Sequence, residues 1–208
     1  KLLKGSGVNL ENFTNFSETD GTPTICFAAR LLRDKGVYEY ISAARLLKER
    51  GIKARFLLAG DLDTNNPTGL NFNDLKNLKD EGYVEIIGYH KDIPTLYAKS
   101  HIICLPSYRE GFPKSLIEAA AANRAVVTTD VPGCRDAIIP NKTGLLVPER
   151  NSLKLADALQ WLIENPKKRI AMGAAGRKLA EKEFPIQKIV LDHLNIYHNL
   201  LCNNLKLT

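Results

Sequence analysis

Residues Ser107–Asp130 read SYREGFPKSLIEAAAANRAVVTTD, and their order decides the fold. An apolar run closes at Pro106, a turn containing Gly111 and Pro113 follows, Lys114–Ala122 reads as a short helix, and Ala125–Thr129 returns to a β-branched strand. Strand, turn, helix and strand in succession form the unit of a parallel α/β sheet. Glu110 lies in the turn and Glu118 one turn inside the helix, with seven residues between them. That geometry lets both acids face one crevice at the carboxyl end of the sheet, where α/β proteins bind ligands. An ionised carboxylate is a pure acceptor and takes hydrogen bonds from paired hydroxyls, so the pair suits a hydroxyl-rich ligand such as a sugar nucleotide. A lone glutamate is more commonly one end of a helix-face ion pair, and the turn around Glu110 is what raises the functional reading.

The same alternation extends on both sides of this stretch. Strands are expected at Thr24–Ala29, Arg55–Ala59, Val84–Gly88, His101–Pro106, Ala125–Thr129 and Gly144–Val147. Each is a continuous apolar run, as in strands covered on both faces. Val37–Arg50 carries Val37, Tyr40, Ile41, Ala44 and Leu47 at helical spacing. Asn73–Asp80, Ile93–Ser100, Lys114–Ala122 and Cys134–Ile138 are shorter helix candidates. The expected fold class is therefore α/β: a Rossmann-like, doubly wound parallel sheet of about six strands with right-handed crossovers and extra C-terminal helices. After Pro148 the strands stop, and Leu153–Glu164, Pro166–Glu183 and Ile186–Leu201 read as helices, with Pro166 and Pro185 at their starts. Residues 1–22 have a linker-like mix, 23–184 form the ligand-binding domain, and 185–208 form a C-terminal helix that packs on the sheet or returns to another domain.

Composition bounds the function. The chain has 208 residues, 44% hydrophobic and 25% charged, the profile of an ordinary soluble globular protein. No apolar run approaches the ~18 residues that span a bilayer, and no signal peptide is visible. The first residue is Lys1 rather than Met, which suggests a fragment or processed chain. Cys26, Cys104, Cys134 and Cys202 show no C-x-x-C spacing, which favours free thiols and a reducing, cytoplasmic setting. The net charge of +6 favours anionic partners in general. No basic stripe interleaved with aromatics is present, which argues against nucleic acid.

The first strand runs into Arg30-Leu31-Leu32-Arg33-Asp34-Lys35-Gly36, and a helix opens directly afterwards. Arg30 leaves the sheet at its carboxyl edge and Lys35 sits beside a helix N-terminus, so two cations and a helix dipole are available to a diphosphate. Solvated loop charges are the competing reading of these residues. The amides after Glu110, at Gly111 and Phe112 and near Lys114, can reach a phosphate or sugar oxygen, although Gly111 and Pro113 can also serve only the turn. Gly88-Tyr89-His90 follows the third strand and can border a slot for a base, while His90 alone reads as a solvated loop residue. His101, His193 and His198 are scattered, and no His/Cys spacing suits a catalytic metal. A P-loop, a G-x-S-x-G elbow and a dinucleotide fingerprint are absent.

Taken in order, these segments closely resemble the C-terminal half of GT-B-fold retaining glycosyltransferases of group 1 (family 4), over nearly the whole chain. Gly7-Val8-Asn9 through Phe13 is similar to that family's interdomain linker, Arg30 and Lys35 fall at its diphosphate-binding Arg and Lys, and Glu110 and Glu118 match its Glu–seven residues–Glu motif. Thr128-Thr129-Asp130, Gly133-Cys134-Arg135-Asp136 and Thr143-Gly144-Leu145-Leu146-Val147 match the run that closes its donor domain.

The resemblance implies catalytic roles for Arg30, Lys35 and Glu110, and donor binding by Gly88, Tyr89, His90, Gly111, Phe112, Pro113, Lys114, Ser115, Leu116 and Glu118. Within these, Glu110 takes donor-sugar hydroxyls and Glu118 the ribose hydroxyls. It implies a nucleotide-sugar donor, UDP-linked by frequency in the family, with a hexose or N-acetylhexosamine transferred and no metal or other cofactor. The implied acceptor is a saccharide, lipid-linked or on a growing surface polysaccharide, bound through an N-terminal domain absent here, with peripheral association at the inner face of the membrane. Without that domain the fragment is expected not to turn over. Pro113-Lys114 replaces the more frequent Gly plus apolar residue, a variant associated with bacterial polysaccharide and lipid-linked oligosaccharide enzymes. Asn123-Arg124 stands where Gly is often found. The alternatives are a sugar-nucleotide epimerase of related fold, recognised by acceptor-free isomerisation, and a non-catalytic sugar-nucleotide-binding module, recognised by binding without transfer.

Overall fold

The computed structural model of the chain describes residues 5–14 and 17–204, residues 202–204 by backbone only. Six parallel strands, β1 (Thr24–Ala28), β2 (Arg55–Ala59), β3 (Glu85–Gly88), β4 (Ile102–Leu105), β5 (Ala125–Thr129) and β6 (Gly144–Val147), form one sheet in the order β3-β2-β1-β4-β5-β6. The order reverses between β1 and β4, which pair at Ile25–Ile102 and Cys26–Ile103, and the carboxyl side of such a switch is where doubly wound sheets form their ligand crevice. The helices are α1 (Val37–Glu49), α2 (Phe72–Glu81), α3 (Ile93–Ala98), α4 (Lys114–Ala121), α5 (Ser152–Glu164), α6 (Pro166–Glu183) and α7 (Ile186–Asn204).

The central strands β1, β4 and β5 are apolar apart from Thr24, Thr128 and Thr129 and almost wholly buried, because helices cover both faces of the sheet. β3 departs from that expectation. It is an edge strand with Glu85 and Ile87 turned to solvent, and Glu85 ties to Arg55 of β2 at 2.7 Å. Cys134–Ile138 is a 3-10 turn at Arg135–Ala137 rather than a helix. The segment is too short to nucleate an α-helix, and Ile138 is already extended. Cys26, Cys104 and Cys134 are free and buried, and burial pushes the Cys26 thiol up to about 12. They serve as small hydrophobes.

Asn123 and Arg124 have structural work. Asn123 ends the α4 turn at φ +62°, a left-handed conformation that Asn tolerates better than most side chains. The Arg124 guanidinium is fully buried and donates to the Tyr97 and Ala98 carbonyls at 2.9 Å and to the Ser17 carbonyl at 3.2 Å. Arg169, also buried, grips the Glu18 carboxylate at 2.8 Å, and Arg177 donates to the Phe13 carbonyl. Three arginines thus bind the described part of segment 1–22 to the domain, with Val8 and Phe13 buried beneath it.

The helix α7 does not lie on the sheet. Ile189 is buried, but Val190, Leu191, Leu194, Tyr197, Leu200 and Leu201 are more than half exposed. Its root is held by pairing of Val8 with Pro185. Among the described residues no helix is long and apolar enough to cross a membrane.

Candidate active site at the carboxyl edge of the sheet

Two loops meet between β1 and β4. After β1 the chain makes a 3-10 turn at Arg33–Lys35 and passes through Gly36 at φ +76° into α1. A Cβ on Gly36 would fall 2.1 Å from the Pro106 carbonyl oxygen, so only glycine lets the start of α1 seat against the end of β4. After β4, the Asp34 carbonyl accepts from the Ser107 hydroxyl at 2.9 Å and the Tyr108 amide at 2.8 Å, and the Asp34 carboxylate pairs with Arg109 at 3.0 Å. The two loops are stitched into one unit. Tyr108 adds a fourth tie through its hydroxyl, which donates to Glu39 of α1 at 2.7 Å.

The consequence is a contact between the two groups that matter most. Lys35 Nζ lies 2.5 Å from Glu110 Oε1, with side chains 21% and 10% exposed. Such a short, largely dry charge-assisted bond is stronger than a surface ion pair. From behind, Thr129 of β5 donates to the Ser107 carbonyl and Thr128 to the Leu105 carbonyl at 2.7 Å. Gly133, at φ +79°, abuts the turn so closely that a Cβ there would lie 2.4 Å from the Gly111 oxygen. The Thr128-Thr129…Gly133 run is thus a buttress for Glu110. Reasoning from residues alone missed Asp34, Tyr108, Thr129 and Gly133 as supports. Only the adjacency of Thr128-Thr129 and Gly133 in the resembling motif hinted at them.

The turn after Glu110 leads into α4, capped by Pro113 with no side-chain bond. The amides of Gly111, Phe112, Lys114 and Ser115 have no hydrogen-bond partner among the described residues, so four N–H groups are free at a helix N-terminus, an anion- or oxyanion-binding arrangement. The Phe112 ring turns away and packs edge-on against Phe184, centroids 5.5 Å apart. Pro113 and Leu116 are buried, and the Leu116 amide is bonded to the Pro113 carbonyl. Leu116 therefore offers a ligand neither side chain nor N–H, because its position on α4 faces the core. Ser115 is half-buried.

Glu118 lies one turn further along α4, its side chain 15% exposed and 3.5 Å from Lys114 Nζ. Burial raises its carboxyl above the ordinary carboxylate range, and Lys114 partly offsets this.

On the other side of β1, a cavity of about 380 Å³ opens where β1, β2 and β3 end, with Arg30, Gly60, Asp61, Asp63, Tyr89 and His90 in its wall. Gly88, at φ +66°, turns the chain so that Tyr89 and His90 face it. Arg30 is 62% exposed and pairs with Asp63 at 2.8 Å, so it points to this cavity rather than to Lys35. The residues named from the sequence thus fall in two adjoining groups on one sheet edge, joined by the segment 30–35: Arg30 with Tyr89 and His90, and Lys35 with Glu110, the free amides and, one helical turn on, Glu118. No group of three His, Cys, Asp or Glu side chains suited to a metal ion occurs among the described residues.

A six-stranded Rossmann-like sheet with its cations, acids and free amides gathered at the topological switch is the arrangement of a GT-B donor-side domain. The chain belongs to the glycosyl transferases group 1 family, whose family model matches residues 9–179. It is 33% identical over 97% of its length to the N,N'-diacetylbacillosaminyl-diphospho-undecaprenol alpha-1,3-N-acetylgalactosaminyltransferase of Campylobacter jejuni, covering 55% of that protein. It is 29% identical over 85% of its length to the capsular polysaccharide biosynthesis glycosyltransferase CapM of Staphylococcus aureus, covering 46% of it. Among solved structures, the sucrose-phosphate synthase of Thermosynechococcus elongatus superposes with a TM-score of 0.85 at 26% identity, over 96% of this chain and 52% of that one. The chain spans about half the length of the curated relatives it matches.

Proposed function

We propose that this chain is the donor-binding half of a retaining glycosyltransferase that moves a hexose or N-acetylhexosamine from a UDP-sugar to a lipid-linked or surface-polysaccharide acceptor, on the cytosolic side of a membrane. The observation that carries the reading is the Lys35–Glu110 pair beside the four free amides at the start of α4. A diphosphate entering this crevice gives Lys35 a competing anion. Glu110, released from its cation, then has its lone pairs available to sugar hydroxyls. Arg30 closes on the diphosphate from the neighbouring cavity, where Tyr89 and His90 border the base, and Glu118 takes the ribose hydroxyls. As the glycosidic bond breaks, charge on the leaving diphosphate is met by Lys35, Arg30 and fixed amide dipoles, which need no reorganisation at that moment. In this scheme the reaction needs no metal.

The acceptor class is supported by the relatives. One is named for transfer to a diphospho-undecaprenol carrier and another for capsular polysaccharide biosynthesis, and Pro113-Lys114 in the donor turn accords with them. Uridine is chosen because it is the commonest base in the family.

A thermal-unfolding panel of this chain with UDP, GDP, ADP and their sugars tests the proposal. A ligand at about 100 times its Kd stabilises by about 2.7 kcal/mol. UDP and one UDP-sugar are expected to raise Tm above the other nucleotides. No response to any nucleotide would overturn the reading, and a response to GDP or ADP alone would overturn the base.

Glu118→Gln sharpens the test. A carboxyl whose folded pKa lies above its unfolded value binds its proton more tightly when folded, so stability falls as pH rises through the raised pKa. At neutral pH the substitution therefore removes a cost and is expected to leave the unliganded chain as stable or more so. Loss of a charge-assisted bond to the ribose is expected to weaken UDP binding about 10- to 100-fold. Unchanged UDP affinity by calorimetry would remove Glu118 from the nucleotide site.

A further inference from the structure

A large cavity lies outside this site. It is a trough of about 800 Å³ between α6 and the segment after β5, with Ile138, Ile139, Ala171, Ala175 and Leu179 along its floor and Lys142, Lys178 and Lys182 at its rim. A second trough of about 540 Å³ continues beside the first half of α6, between β6 and α5, and holds Trp161, Lys154 and Lys168. Lys168, Ala171, Ala175, Lys178 and Lys182 recur three and four residues apart, so they form one stripe of α6, with Lys168 in the second trough and the other four in the first.

The acids in these walls are already engaged. Asp157 pairs with Arg50 at 2.9 Å and Lys154 at 3.7 Å, Glu183 with Lys182 at 3.9 Å and Lys188 at 3.7 Å, and Asp136 accepts the Gly133 amide at 3.3 Å. The ammonium groups of Lys142, Lys168 and Lys178 have no partner among the described residues. Beside these cations, Ile139 and Trp161 are each 40% exposed.

We infer that this face docks on a bilayer surface bearing acidic phospholipid headgroups. Unpaired lysines over an apolar floor match the two layers of such a surface. The ammonium groups meet lipid phosphates, their methylene stems lie along the apolar wall, and the Trp161 indole and Ile139 settle at the headgroup–acyl boundary, where indoles concentrate. Charge decides against a neutral surface: each lysine near an anionic leaflet shifts partitioning about fivefold. A row of stacking aromatics, which a single-stranded nucleic acid would need, is missing among the troughs' described residues, where Trp161 and Phe184 are the aromatics. The larger trough also ends at Phe184, which packs on Phe112 of the turn after Glu110, so docking brings that turn next to the lipid surface.

Trp161 is the single tryptophan of the chain, which makes the test direct. The chain is sedimented with vesicles of equimolar phosphatidylglycerol and phosphatidylcholine, and with phosphatidylcholine alone, while indole emission is recorded. Binding to the acidic vesicles only, with a blue shift of emission, is expected. Lys142→Glu/Lys168→Glu/Lys178→Glu is expected to lower the partition coefficient at least about a hundredfold. The charge-matched control Lys53→Glu/Lys76→Glu/Lys99→Glu, at exposed positions elsewhere, is expected to lose less than about tenfold, since salt screens distant charges. Unfolding temperatures of both triples identify any loss of fold, and single Lys→Gln variants then replace a triple that fails. Absence of binding to acidic vesicles, equal binding to phosphatidylcholine, equal losses in the two triples, or binding without a change in indole emission would each overturn the inference.

Discussion

If the chain acts within the proposed two-domain transferase, replacing Lys35 by alanine in the full-length protein is expected to lower turnover about 10²–10³-fold, the scale of one preorganised group facing developing charge. The substitution acts twice. On the proposed function it removes a cation from the departing diphosphate, and it strips Glu110, only 10% exposed, of its partner at 2.5 Å. A carboxylate in that position without its cation loses a charge-assisted bond and stays largely desolvated. The two effects separate in a double-mutant cycle with Glu110→Gln. If the residues act as a pair, the double variant loses much less than the sum of the singles. Steady-state assay of transfer from the UDP-sugar checks this, and near-wild-type turnover in Lys35→Ala would take the residue out of the diphosphate site. Arg30→Ala is expected to be milder in stability, because Arg30 is mostly exposed and its bond to Asp63 is a surface pair.

The second large effect concerns folding. Glu18→Ala is expected to destabilise the chain by about 3–5 kcal/mol, the cost of leaving buried charge uncompensated, or about 10 °C in Tm for a chain of this size. Glu18 accepts three hydrogen bonds from Arg169, and its charge also holds up the protonation of buried Arg124 against burial. Its removal leaves the buried Arg169 guanidinium with carbonyl partners but no counter-charge, and takes a stabilising negative charge from the neighbourhood of Arg124. Urea denaturation followed by circular dichroism measures the loss, and a change below about 1 kcal/mol would make the pair no more than a surface contact. The prediction bears on function because segment 5–14 leads to Gly5, where a Cβ would lie 2.7 Å from the Phe112 ring. Loosening the strap therefore frees one wall of the turn that carries Glu110.

Much of the fold is legible in the residues. The β-branched runs and Pro-marked helix starts have local causes, and all seven helices begin within one residue of expectation. What failed has non-local causes. That β3 is half exposed follows from its place at the sheet edge, and strand order is a property of tertiary pairing that no run of residues encodes by itself. Nothing in Ile186–Leu201 says whether its apolar face is packed, since amphipathicity reports a preference for burial and not a partner. The segment 1–22 reads as a linker from its Gly, Ser, Asn and Thr. The groups that pin it, Arg124, Arg169 and Arg177, lie more than a hundred residues away.

The candidate site divides in the same way. Carboxylates and cations at strand ends are visible because their residue types are chemically unusual there. The contact between Lys35 and Glu110 depends on Gly36 allowing α1 to approach Pro106, and on Asp34 accepting from Ser107 and Tyr108. Leu116 illustrates the opposite error. It sits inside the motif, yet its helix position turns it into the core.

A crystal structure of this chain with UDP tests the central claim most directly. The account predicts diphosphate against the start of α4, with Lys35 Nζ moved from Glu110 to a phosphate oxygen, the ribose hydroxyls on Glu118 and the uracil beside Tyr89 and His90. UDP bound on another surface, with the Lys35–Glu110 pair intact, would contradict it.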